Sequence, residues 1–308
     1  MFIPKTLIHS TMKKIVPFAL FIATITFCLG TLGTFSQNIS GVINIYTPVT
    51  AIGCNSITVV STAGYNVGDT VLIIQMKGAS IDTISNTAAF GTILNYNESG
   101  NYEFNIIQSI IGNIVYLQNV LLKSYNPSGL VQLIRVPYYN NVTVTGTLTA
   151  QAWNGSTGGV LVFQVAGTVT LNADIDVSGM GFRGGNASIN IYSGCSSMNY
   201  YYPMASGLGG EKGEGITAYG VTYQTGRGSL ANGGGGGNNS NAGGAGGGNY
   251  GIGGRGGNQQ AFSSICPNIP IGGESGMGLN YNNALNKIFL GGGGGGGQQN
   301  NNLGLGTS

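Results

Sequence analysis

The stretch from Val142 to Val177, VTVTGTLTAQAWNGSTGGVLVFQVAGTVTLNADIDV, decides the fold of this chain. In its first part apolar or small residues occupy the even positions, and the odd positions carry Thr143, Thr145, Thr147 and Thr149. Successive side chains of a strand point to opposite faces. The alternation therefore predicts a strand with one face in a core and a threonine row on the other.

The second part, from Leu161 to Val177, keeps its odd positions free of polar residues. The run is too long for an ordinary strand, so we expect bends at Ala166-Gly167 and at Asn172-Ala173. Consecutive short strands that keep one inward face through tight corners favour a β-solenoid, with a sandwich as the alternative. We expect the inward face to be buried (Leu161, Phe163, Val165, Val169, Leu171, Ile175, Val177) and the outward face to be exposed (Thr168, Thr170, Asp174, Asp176).

The residues before this stretch predict a small β domain over 37–138. Short apolar or β-branched runs alternate there with Asn, Gly, Ser and Pro, and no helical periodicity is sustained. The predicted strands are Ser56–Ser61, Thr70–Met76, Thr92–Tyr96, Tyr102–Ile111, Ile114–Gln118 and Leu130–Val136. Strands at this spacing indicate an antiparallel sandwich or small barrel.

Glycine dominates the chain beyond the solenoid-like strands of 139–183. Residues 1–183 contain 18 glycines, whereas residues 184–308 contain 39. The pattern is neither collagen nor a phosphate-binding loop. A flexible linker is one interpretation, but bulky residues such as Tyr250, Ile252 and Ile288-Phe289-Leu290 punctuate the glycines. We therefore favour an extended, polyglycine-like region in which segments without side chains pack side by side through backbone hydrogen bonds.

The first 36 residues predict a secretory signal peptide. Lys13 and Lys14 precede an uncharged apolar run, and small residues at Thr34 and Ser36 flank Phe35. Met12 is the better start, so residues 1–11 are an over-extended beginning. We expect cleavage before Gln37, no membrane insertion afterwards, and a secreted or cell-surface location. A retained membrane anchor is the alternative.

Removal of the leader excludes several function classes. It takes away the single histidine, His9, and three of the 11 basic residues, which leaves 8 basic against 9 acidic residues. A chain without histidine builds no histidine-based catalytic relay or metal site. So little positive charge offers no basic surface to nucleic acid. We expect no catalytic residues, no cofactor and no metal.

Three cysteines remain after cleavage: Cys54, Cys195 and Cys266. Cys195 and Cys266 bracket the most glycine-rich segment, and exported thiols tend to oxidise. A disulfide between them would close a long loop and contribute about 4 kcal/mol on the chain-entropy model. Cys54 would then be unpaired in this chain.

Two features of the solenoid-like strands allow more specific hypotheses about function. The threonine row fits an ice-binding or glycan-binding face, or simply reflects the β propensity of threonine. Asp174 and Asp176 project from one strand face and suit glycoside cleavage or calcium binding, although the only basic residue nearby is Arg183. The simpler interpretation is the polar face of a corner.

Three segments carry a family resemblance: YNVGDTVLIIQMKGA (65–79), residues 129–171, and LANGGGGGNNSNAGGAGGGNYGIGGRGG (230–257). Together they resemble the N-terminal part of large exported surface proteins of Bacteroidota that are associated with gliding motility and type IX secretion, and are similar to the adventurous-gliding family of myxobacteria. The glycine segment is also similar to the glycine-rich extracellular domain of anaplastic lymphoma kinase-like receptors. The chain ends at Ser308 without a C-terminal sorting domain, so we expect residues 184–308 to be truncated.

The resemblance implies a non-enzymatic surface protein, structural or adhesin-like, that presents a β and glycine-rich surface for adhesion or motility. Its expected partner is an extracellular glycan or a surface protein. The alternative is a β-solenoid protein that binds or degrades polysaccharide.

Overall fold

A computed structural model describes residues 36–189, 198–218, 221–238, 241–258, 272–279 and 286–299. The fold is all-β, as predicted, with three short 3-10 turns at Pro127–Gly129, Met204–Ser206 and Val221–Tyr223. The strands are β1 (Gln37–Val42), β2 (Ile45–Ile52), β3 (Ser56–Val59), β4 (Thr70–Gln75), β5 (Ser80–Ile81), β6 (Ile93–Asn95), β7 (Tyr102–Ile111), β8 (Ile114–Leu117), β9 (Val131–Val136), β10 (Tyr138–Tyr139), β11 (Val142–Thr149), β12 (Gln164–Val165), β13 (Val169–Leu171), β14 (Ser188–Ile189) and β15 (Gln298–Gln299). In the described part of the chain, no helix is long and apolar enough to cross a membrane.

Six antiparallel strands close a barrel in the order β2-β3-β8-β7-β4-β9. The predicted runs between residues 56 and 136 coincide with β3, β4, β6, β7, β8 and β9, and the barrel settles the choice between barrel and sandwich. β4 is apolar along its length because both of its faces are covered. Val71 and Ile73 point into the barrel, whereas Leu72 and Ile74 belong to a second core outside it.

Parallel strands form the solenoid-like part. β11 pairs with β13 through Val142–Val169 and Val144–Leu171, and an isolated bridge joins Leu148 to Ile175. β10 also pairs with β12 in parallel, and Tyr138 lies opposite Gln164. Each partner lies 26 or 27 residues further along the chain, so these residues form successive coils, as predicted. β1 pairs parallel with the other edge of β11, which inserts the whole barrel between the first strand of the stack and the second.

The predicted burial of the last coil is wrong in part. Leu161, Phe163 and Val165 are half-buried and pack beside the small core of β1 and β11. The four apolar residues that follow are exposed: Val169 40%, Leu171 60%, Ile175 45% and Val177 44%. They face the same way as buried residues of the coil before, but β13 ends the stack and no described strand covers it. Thr168, Thr170, Asp174 and Asp176 are exposed, as predicted.

The described glycine-rich segments hydrogen-bond to one another through their backbones. Gly210 N–H donates to Gly237 O, Gly237 N–H to Gly296 O, and Gly296 N–H to Glu211 O. Three segments far apart in sequence thus contact each other mutually. The approach requires glycine, because a Cβ at Gly293 would overlap the carbonyl of Arg183 and one at Gly213 would overlap the carbonyl of Gly293.

One hydrophobic core joins the barrel to the glycine-rich segments. Leu72, Ile74 and Ile134 on the outside of the barrel share it with the apolar residues that interrupt the glycines: Ile216, Leu230, Leu279, Phe289 and Leu290. Phe289 lies against Gly100, and its ring centroid is 5.4 Å from that of Tyr96. The bulky residues among the glycines therefore anchor this region on the barrel.

Candidate functional site

A cleft of about 370 Å³ lies where the barrel meets the glycine-rich segments. Lys77, which follows β4, and Ser128 in the turn at Pro127–Gly129 line it together with residues of the segment 212–218. Its lining combines charged, hydroxyl and amide side chains with apolar ones, chiefly Lys77, Ser128, Lys212, Glu214, Thr217, Gln224 and Leu230. We call it the Glu214 cleft.

Glu214 is the most highly connected charged group in this cleft. Its Oε2 accepts hydrogen bonds from Trp153 Nε1 at 2.9 Å and from the backbone N–H of Arg183 at 3.1 Å. Its Oε1 accepts from Arg183 Nη2 at 2.7 Å and lies 3.5 Å from Lys77 Nζ. Trp153 in turn packs edge-on against Phe182, with 5.5 Å between ring centroids. The carboxylate is thereby fixed in place from three directions.

The surroundings keep Glu214 ionised. Burial alone would raise the pKa of its carboxyl, but the hydrogen bonds and charge of Arg183 and the charge of Lys77 outweigh burial, so the pKa lies below its ordinary value. A general acid in glycoside cleavage needs the opposite, a raised pKa. Of the described carboxylates, Glu214 alone lines the cleft. The arrangement suits binding better than proton transfer.

Lys212 contributes a second, unusual group to the cleft wall. It is 4% exposed, and its Nζ donates to the carbonyl oxygens of Tyr200 and Gly228, the latter at 2.6 Å. The Nζ also lies 4.3 Å from the ring centroid of Phe90, which stabilises a cation electrostatically. Burial lowers the pKa of Lys212 well below its ordinary value. This lysine anchors its segment and offers little charge to a ligand.

The outer face of the parallel stack is a second polar surface. Thr143 lies beside Thr170, and the Leu148–Ile175 bridge places Thr147 and Thr149 next to Asp174 and Asp176. Neighbouring strands lie about 4.8 Å apart, so the threonine row extends into a small two-dimensional array. Asp176 Oδ1 accepts the backbone N–H of Ser178 at 2.8 Å, as in a corner. Among the described residues no cluster of three metal-ligating side chains occurs.

The predicted disulfide partners, Cys195 and Cys266, lie outside the described residues. Cys54 is described, and it is exposed with a free thiol.

The sequence did not single out the Glu214 cleft, because its residues are far apart in the chain. Arg183 was noted only as a neighbour of the aspartates, yet it pairs with Glu214. One signal was available. In a chain with 6% charged residues, each charge near an apolar run requires an explanation, and Lys77, Arg183, Lys212 and Glu214 converge here.

Comparisons with known proteins leave the chain without an assigned family. No family model matches it, and no curated protein matches it. Two solved structures show local similarity at 16% identity. The tailspike protein gp49 from Pseudomonas phage LKA1 aligns over 48% of this chain and 24% of its own, with a TM-score of 0.21. The Gp54 tailspike of Acinetobacter baumannii bacteriophage AP22, solved with A. baumannii capsular saccharide, aligns over 54% and 28%, with a TM-score of 0.24. The alignments thus span about a quarter of each tailspike, and TM-scores this low carry no argument about the present chain.

The lowered pKa of Glu214 predicts how its contribution to stability depends on pH. A carboxyl whose pKa is depressed on folding stabilises the protein above its ordinary pKa of 4.5, and that stabilisation is lost as pH falls through the folded value. We expect E214Q to lower the free energy of unfolding by about 1–2 kcal/mol at neutral pH, since charged hydrogen bonds are lost. The difference from wild type should shrink in acid. Urea titrations of both proteins across the acid range measure it, and a difference independent of pH would contradict the assignment.

Proposed function

We propose that this is an exported, non-catalytic protein of the bacterial cell surface that binds an extracellular polysaccharide in the Glu214 cleft. The observation that carries the proposal is the convergence of Lys77, Arg183 and Glu214 at a concave site in a chain that has few charges. Ligand sites are typically concave and combine apolar walls with a few fixed polar groups. Hydroxyl-rich sugars need such groups as hydrogen-bond donors and acceptors.

The polar groups of the cleft suit a neutral or weakly acidic sugar. The oxygens of Glu214 are already occupied by Trp153, Arg183 and Lys77. Lys77 is 8% exposed, and its Nζ, which has three donor positions, lies 3.5 Å from Glu214 and 5.3 Å from the ring centroid of Phe182. Gln224 adds an amide to the same lining, and Ser128 adds a hydroxyl that donates to Asn126 Oδ1 at 2.6 Å and so offers a ligand its acceptor positions. A ligand would therefore bind mainly to Lys77, Ser128 and Gln224, with Glu214 holding the lysine in position.

The surface location rests on the leader-like segment 1–36 and on the family resemblance. We propose further that the protein acts in adhesion or motility of a Bacteroidota cell, as the resemblance to gliding and type IX secretion proteins implies. A rigid assembly of barrel, parallel stack and hydrogen-bonded glycine segments would suit that role, because it presents a site on a scaffold with little conformational freedom.

A glycan-array measurement on the chain from Gln37 onward tests the proposed function. We expect binding to one polysaccharide class, and K77M should weaken it at least tenfold because the lysine's hydrogen bonds to the sugar are lost. K123M is the matched control, since Lys123 lies on the barrel against Tyr102 and outside the cleft. Equal binding by wild type and K77M would place the ligand elsewhere. Release of reducing ends from the bound polysaccharide would show an enzyme and overturn the non-catalytic assignment.

A further inference from the structure

In the described part of the chain, the parallel stack ends at β13 without a covering strand. Its inward residues repeat those of the coil below: Val169, Leu171 and Ile175 pair with Val142, Val144 and Leu148. The lower residues are fully buried, at 0% exposure, whereas the upper ones are 40–60% exposed. The paired side chains are all apolar and lie on the same face in the same register. Their exposure thus differs only because a further strand lies above the lower ones.

The backbone of β13 also has hydrogen-bonding groups that face away from β11. The hydrogen bonds that hold it to β11 use alternate residues: Thr168 O accepts from Val142, Asn172 N–H donates to Val144, and Asp174 O accepts from Leu148. The N–H and C=O groups of Val169, Leu171 and Ile175 therefore point to the other edge, and no partner for them is recorded in the described part of the chain. An unpaired edge beside exposed apolar side chains is a template for strand addition.

A groove already exists along this edge. Its volume is about 430 Å³, and it is lined by the consecutive residues 171–175. The other end of the stack is different. β1 places Gln37, Ile39 and Gly41 at the corresponding inward positions, and the apolar one, Ile39, is only 6% exposed. The apolar row at the β1 end is therefore covered, and the apolar row at the β13 end is not.

We propose that β13 is a docking edge for an extended strand supplied by another polypeptide. The incoming strand would carry apolar residues at alternate positions, to cover Leu171 and Ile175. On its outer side it would carry basic residues, because Asp174 and Asp176 project there. A second copy of this chain fits poorly. Its β1 edge contains no charged residue to meet the two aspartates, and its β13 edge would add a second Asp174 and Asp176 to a face that already has two carboxylates.

A ten-residue peptide provides the probe. It copies residues 168–177 with D174K and D176K, so that its apolar residues continue the register of the stack while its lysines meet the two aspartates. Fluorescence anisotropy with the labelled peptide and the chain from Gln37 onward measures the dissociation constant. We expect saturable binding that weakens with added salt, and weaker binding of the unsubstituted copy, because two like-charged rows would then face each other.

Two matched variants of the protein locate the contact. L171N places an amide on the covered face, and T170N places the same residue on the opposite face of the same strand. We expect L171N to weaken peptide binding at least tenfold and T170N to leave it within twofold. Both positions are exposed, so neither change should unfold the protein. Equal affinities of the two variants, or no binding by wild type, would overturn the proposal. Concentration-dependent dimers in sedimentation that L171N abolishes would assign the edge to a second copy instead and would also overturn it.

Discussion

G293A is expected to destabilise the protein by about 3 kcal/mol or more, which places it at the upper end of overpacking effects. A Cβ at Gly293 would overlap the carbonyl group of Arg183. Neither partner can move away alone, because Gly293 N–H donates to the backbone oxygen of Glu214, Gly293 O accepts from Gly234 N–H, and Arg183 O accepts from Glu214 N–H. The strain would therefore spread through several backbone hydrogen bonds. The free energy of unfolding from urea titration, monitored by circular dichroism, measures the effect.

G297A is the matched control in the same glycine run. A Cβ there would meet Ala242 O at 3.5 Å, an ordinary van der Waals distance. Replacing a glycine by alanine at a compatible position reduces the entropy of the unfolded chain and stabilises by about 0.4–1 kcal/mol. We therefore expect G297A to be neutral or slightly stabilising. Similar losses in the two variants would mean that the glycines act through flexibility and not through close packing.

L148A should destabilise the protein by about 2–5 kcal/mol, the usual range for truncating a buried leucine. Leu148 is fully buried in the core of β1 and β11. I175A, one coil above it, should cost less than about 1 kcal/mol because Ile175 is 45% exposed. Thermal or urea unfolding of the two variants measures the contrast.

The contrast between these two variants depends on the open end of the stack. If a strand from the same chain covered Ile175 in solution, I175A would cost about as much as L148A, and β13 would not be a free edge. If L148A cost less than about 0.5 kcal/mol, the inward face of the stack would have been misassigned. The peptide of the strand-addition experiment should also raise the cost of I175A when it is present in excess, because binding to the folded state adds to stability.

Five of the six barrel strands were predictable because their signals are local, whereas β2 was not among the predicted strands. Each β-branched run between Ser56 and Val136 is bounded by turn residues, and the structure places strands at those positions. Barrel closure was not predictable to the same degree. A closed barrel and a sandwich use the same alternation, and the choice depends on which strands pair at the edges. The pairing of β2 with β9, Tyr46 with Ile134, joins residues 88 positions apart.

The parallel stack shows the same difference between local signals, which the sequence contains, and long-range contacts, which it does not. The odd-position rule correctly predicted which face of 161–177 points inward, since the period of two belongs to the strand itself. It did not predict burial. Burial at Val169 and Leu171 requires a covering strand, and whether one exists is a property of the stack.

By itself, the sequence determined the all-β class, the positions of five of the six barrel strands and of β11, and the inward face of the coils. These follow from periodicity, which is readable within a few residues. Only the tertiary structure decided that the barrel interrupts the stack between β1 and β11, that no described strand covers β13, and that Lys77, Trp153, Arg183 and Glu214 form one site. Those residues come from three regions of the chain, and they meet because the barrel and the glycine-rich segments share one hydrophobic core.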